Sequence, residues 1–227
     1  MTRDELITLA KFWLDERGNF YSTAQLNTAA NFANRMVYRA VANQSPSHFA
    51  QISTFSYPAD TEKVDLSGGS YLNERPYRML AVQQLPSGST VSATNRPQTI
   101  EYISPNTNHA DDIATEDPNV WQSAGLYWTM DTDVDLYLLP MPASAIDLRV
   151  RWIGHLANLA AGSTSLLGGK ATEFHDLVAA VMTKTLQQKE RNSDQGVTEL
   201  LVWIGSQVEM AEASREVAPR VIFESPY

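Results

Sequence analysis

Apolar side chains recur at helical spacing near both ends of this 227-residue chain and give way to alternation between them, so one fold must satisfy two different periodicities. At the start, Thr2 and Glu5 stand three apart, the spacing at which each side chain satisfies an unpaired backbone donor of the other's residue. Leu6, Leu9, Ala10, Trp13 and Leu14 follow at helical spacing, and Gly18 can supply a left-handed cap. Ser22 and Gln25 repeat the capping arrangement before a longer helix. Its stripe of small and medium residues (Leu26, Ala29, Ala30, Ala33, Met36, Val37, Ala40, Val41) stops before Ser45 and Pro46. Small residues on that stripe permit close approach of a neighbouring helix.

From about residue 48 to 155 prolines and turn residues recur, and aromatic and β-branched residues alternate with polar ones. Strands are expected at 48–57, 77–84, 125–130, 134–139 and 146–153, with a short one around 100–103 inside the polar stretch 95–119. In 146–153, Ile146, Leu148, Val150 and Trp152 alternate with Asp147, Arg149 and Arg151, which predicts one buried and one charged face. Helical spacing returns after the linker AAGSTSLLGG. Thr172 can cap a helix carrying Phe174, Leu177, Val178, Val181, Met182 and Leu186, and a fourth helix from Ser193 or Asp194 carries Leu200, Leu201, Trp203, Ile204, Val208 and Ala211. Past Val217, the tail APRVIFESPY is expected to run as an extended arm.

These patterns predict an α+β fold: a helical bundle formed by the N- and C-terminal helices, with an inserted antiparallel β domain. The expected divisions are 1–45 for the N-terminal part of the bundle, 46–160 for the β-rich domain, 161–217 for the C-terminal part and 218–227 for the tail. Trp13 and Trp203 are both expected to be substantially buried in the shared bundle.

The chain contains no cysteine, which removes disulfides, thiolate metal sites and a cysteine nucleophile. Charges interrupt the apolar residues of the N-terminal stretch, and no run reaches membrane-spanning length, so a soluble protein without an export signal is expected. A net charge of -9 disfavours gripping of nucleic-acid phosphates.

Each local chemical signature fails at a residue that its chemistry needs. Asp131, Asp133 and Asp135 open like a calcium loop, but Leu136 stands where Gly is required and Pro142 where a bidentate Glu is required. Gly168, Gly169 and Lys170 resemble a phosphate loop, yet Thr164 replaces its first Gly and Ala171 its Ser or Thr. His48, His109, His155 and His175 are scattered, and no GxSxG elbow occurs. The expectation is a non-enzyme without metal or other cofactor. An alternative is a carbohydrate-binding or hydrolytic virion domain using the aromatics Trp121, Tyr127, Trp128 and Tyr137.

Over nearly its whole length the chain resembles the head-to-tail adaptor (neck) family of tailed bacteriophages. The resemblance rests on LITLAKFWLDERGNFYSTAQLNTAANFANRMVYRAV at the start, RPYRMLAVQQL in the middle, DVDLYLLPMPASAIDLRVRWIGHLANLAAGS and then EFHDLVAAVMTKTLQQK. Where the family often has an acidic, proline-containing segment before this last helix, SLLGGKAT intervenes. The resemblance implies a virion subunit assembled in the host cytoplasm. It would self-associate into a ring, a dodecamer, between the portal protein and the tail (nozzle or tail-tube) proteins, with genomic DNA passing through the lumen without specific binding and no membrane partner. It also implies that the C-terminal tail docks on the portal, with Arg220, Val221, Ile222, Phe223 and Tyr227 as interface candidates. A tail terminator-type ring protein is a further alternative.

Overall fold

The computed structural model describes residues 1–14, 21–86, 96–104, 125–130, 134–160, 165–191 and 196–216. Helix α1 (Arg3–Trp13) begins with the reciprocal cap: the Glu5 amide donates to Thr2 Oγ1 at 3.4 Å and the Thr2 amide to Glu5 Oε2 at 2.8 Å. Accepting that backbone bond holds the Glu5 carboxyl below its ordinary pKa. Helix α2 (Thr23–Gln44) starts the same way, with the Gln25 amide on Ser22 Oγ at 3.3 Å and the Ser22 amide on Gln25 Oε1 at 2.9 Å. Its end at Ser45 coincides with Pro46, which opens a 3-10 turn, Pro46–His48. Helices α3 (His175–Arg191) and α4 (Gly196–Glu216) follow the strands, preceded by 3-10 turns at Leu166–Gly169 and Thr172–Phe174.

The seven strands are β1 (Ala50–Tyr57), β2 (Lys63–Asp65), β3 (Pro76–Gln84), β4 (Gln98–Tyr102), β5 (Tyr127–Met130), β6 (Asp135–Leu139) and β7 (Ile146–Gly154). They form one sheet in the order β1-β7-β3-β4-β5-β6-β2. The antiparallel pair β1 and β7 runs in unbroken register from Ala50 opposite Ile153 to Tyr57 opposite Ile146. Register shifts interrupt β3 against β7 at Pro76/Arg78 and Met79/Ala81. The sheet's core joins Tyr57, Val64, Leu66, Leu72, Val82, Ile100, Trp128, Leu136, Leu138, Leu148, Val150 and Trp152. Trp152 is fully buried and its indole N–H donates to Ser53 Oγ at 3.0 Å, which removes the cost of burying that donor. Tyr57 is also enclosed; its hydroxyl donates to the Glu62 carbonyl at 2.9 Å, and burial pushes its pKa up to about 12.

The chain divides into two compact units, Met1–Phe49 with Leu156–Tyr227, and Ala50–His155. In the first, α2 packs on α1, α3 and α4, and α3 also contacts α1 and α4. Ala29, Ala30, Ala33 and Ala42 are buried on α2, the close approach that small side chains allow.

The expected fold class, a helical bundle core with an inserted antiparallel β domain, is overturned. The protein is an α+β chain of four helices and a seven-stranded mixed, curled sheet, whose own core is as much an organising centre as any helix packing. The sheet is mixed because β4 and β5 run parallel, Glu101 opposite Tyr127 and Tyr102 opposite Trp128. A parallel pair needs a long crossover, and the segment between these two strands supplies the length. The expected arm, 218–227, lies outside the described residues. Three smaller corrections follow. Strand β2 was not anticipated, Thr172 opens a 3-10 turn and not the helix itself, and Trp13 is 42% exposed although it shares the face of the buried Leu6 and Ala10, because it is the last residue of α1 and no further turn of the helix flanks it.

Candidate interaction surfaces

Two helical surfaces leave large apolar groups in water. On α4, the consecutive residues Leu200, Leu201, Val202, Trp203 and Ile204 wrap the whole circumference of the helix, since five residues exceed one turn. Leu200, Ile204 and Val208 are buried against the unit, whereas Val202 is 70% exposed and Leu201 and Met210 are about half exposed. Trp203 is half-buried beneath the Lys184 ammonium, which sits 3.7 Å from the ring centroid. On α1, Phe12 is 78% exposed next to Trp13. A helix that is apolar on every side is normally covered on every side.

A third surface is a groove of about 410 Å³ along α2. Asn27, Asn31, Arg35 and Arg39 form one row at four-residue spacing, and Thr28, Phe32 and Met36 form the row beside it. Asn158 makes the opposite wall. Two contacts hold that wall: Arg35 Nη2 donates to Asn158 Oδ1, and the Leu159 amide donates to Asn31 Oδ1 at 2.7 Å. A third asparagine of α2, Asn34, points the other way; it is buried and accepts the Leu167 amide at 2.9 Å. Leu167 needs that anchor, because its φ of 52° lies in the left-handed region that a side chain with a Cβ disfavours.

The residues singled out from the sequence are not brought together. Arg220, Val221, Ile222, Phe223 and Tyr227 lie outside the described residues, as do Asp131, Asp133, His109 and Trp121. Asp135 pairs with Lys63 at 3.0 Å. Trp128 belongs to the sheet core, which takes its ring away from any exposed stacking platform, and Tyr127 and Tyr137 are half-buried. His48 lies 3.5 Å from the Glu173 carboxylate and His155 stacks edge-on with Tyr77. His175 is buried and its Nδ1 meets the Met1 amino group at 3.0 Å. Burial first, and the nearby amino group second, push its pKa below the ordinary imidazole value, against opposing pulls from the Leu166 carbonyl, Asp176 and Glu173.

Among the described residues, no group of three or more His, Asp or Glu is arranged to hold a metal ion, and no helix is long and apolar enough to cross a membrane. The α2 groove was missed from the sequence, where the Asn and Arg spacing was the available signal. Set against models of known protein families the chain matches none, and no curated protein matches it in sequence.

Proposed function

We propose that this chain is a structural subunit of a tailed-phage neck, a head-to-tail adaptor that assembles into a ring, binds the portal on one side and tail proteins on the other, and performs no catalysis. The supporting observation is the apolar belt of α4, where Leu201, Val202 and Met210 stay exposed on a helix whose other face is already buried. Covering a surface of this kind with a protein partner removes apolar area from water and is favourable, and aliphatic anchors surrounded by polar groups suit a protein interface better than a catalytic cleft. The resemblance of the sequence patterns, in their order, to those of the adaptor family supports this kind of assembly. A net charge of -9 fits a channel past which DNA slides without sticking.

Electron microscopy of the purified chain, alone and mixed with a portal ring, tests the reading. Ring-shaped particles, or added density on the portal, are expected. A chain that stays monomeric and leaves the portal bare would remove the proposal.

A further inference from the structure

We infer that the groove along α2 binds an extended, carboxylate-bearing segment of a partner polypeptide. The site is independent of the α4 belt and of the neck assignment. Its two rows run from Asn27 to Arg39, about 18 Å at the helical rise, which accommodates roughly five residues of extended chain. The groove has a polarity along its length. Carboxamides of Asn27 and Asn31 stand toward the start of α2, and the guanidinium groups of Arg35 and Arg39 toward its end.

Charge complementarity selects the occupant. The chain has 26 acidic residues against 17 Lys and Arg, yet the eight lining residues include two arginines and neither Asp nor Glu. Arg35 gives one N–H to Asn158, and a guanidinium has five, so donors remain for a carboxylate in the forked geometry that arginine favours. The carboxamide of Asn158 on the far wall offers both a donor and an acceptor, as a peptide backbone requires. Phe32 and Met36 provide an apolar strip alongside the Asn and Arg row, and methionine adapts to side chains of varied shape. Nucleic acid fits less well. Two guanidinium groups neutralise few phosphates of a backbone that carries one at every nucleotide.

The test is fluorescence anisotropy at low salt with the full chain and a labelled, end-blocked pentapeptide Glu-Glu-Phe-Glu-Glu. Saturable binding is expected. It should weaken roughly tenfold or more in the Arg35→Ala, Arg39→Ala double variant and with the peptide Gln-Gln-Phe-Gln-Gln, as follows from losing charge-assisted bonds. Arg151→Ala, an exposed arginine of β7, should leave it unchanged. If the double variant melts early, Arg39→Ala alone decides. Three results would overturn the inference: no saturable binding to the wild-type chain, equal binding by the arginine variants, or tighter binding of a twelve-residue oligothymidylate that displaces the peptide.

Discussion

Asn34 shows how much one polar side chain can organise. Buried on α2, it accepts the amide of Leu167, 133 positions away in sequence, and so fixes a left-handed turn that local preference alone would not hold. Asn34→Ala strands that amide away from water and should cost about 1–3 kcal/mol in urea unfolding. Trp152→Ala, which empties the centre of the sheet core and releases Ser53, should cost about 3–5 kcal/mol by the same measurement. The buried imidazole of His175 makes stability depend on pH. Its folded pKa is depressed, so below about 6.5 the unfolded chain takes up the proton more readily than the folded one. This contribution is fully present above that pH and is lost as pH falls through the folded value. Urea midpoints are expected to drop between pH 7.5 and 5.5, and the drop should be smaller in His175→Gln. An asparagine on a helix stripe is visible in the sequence, but its distant partner is not; the same missing information hid the exposure of Trp13.

At the level of elements, features defined by residues a few positions apart are the most legible in the sequence. The two capping boxes are defined by residues three apart, and both form as their spacing demands. The alternation in β7 likewise became burial of Leu148, Val150 and Trp152 with Asp147 and Arg151 outside. The parallel pairing of β4 with β5 was not legible, because strand direction depends on the path of the chain between them and not on the four or five residues in each strand. Three-residue β2 is too short to show a period. The belt on α4 was legible only as an apolar stripe; which of its residues stay outside depends on how much of the helix its neighbours can cover. Val202→Asp places a charge on the uncovered side, so its melting temperature should stay near that of the wild type, with a change within about 0.5 kcal/mol. In the proposed assembly the same variant should lose ring or portal association, readable by sedimentation.

The whole molecule consists of two units, and every pairing in the sheet joins residues within 50–155. A fragment of residues 50–155 is therefore expected to fold alone, with strand-type circular dichroism and a cooperative melt; a featureless, non-cooperative fragment would contradict that autonomy. The candidate tail interface, by contrast, was a reading of composition and resemblance and stays outside the described residues. The place of β7 in the strand order bears on how the protein is made. β7 is the partner of β1 and one of the two partners of β3, yet it is the last strand to leave the ribosome. At translation speeds of about 5–20 residues per second, β1 waits roughly 5–20 s for the residues it will pair with. During that interval its uncharged sequence AQISTFSY presents two unpaired edges to every other nascent chain nearby, whereas in the finished sheet β7 covers one of them and β1 remains the terminal strand, so the hazard is greatest in synthesis before residue 154.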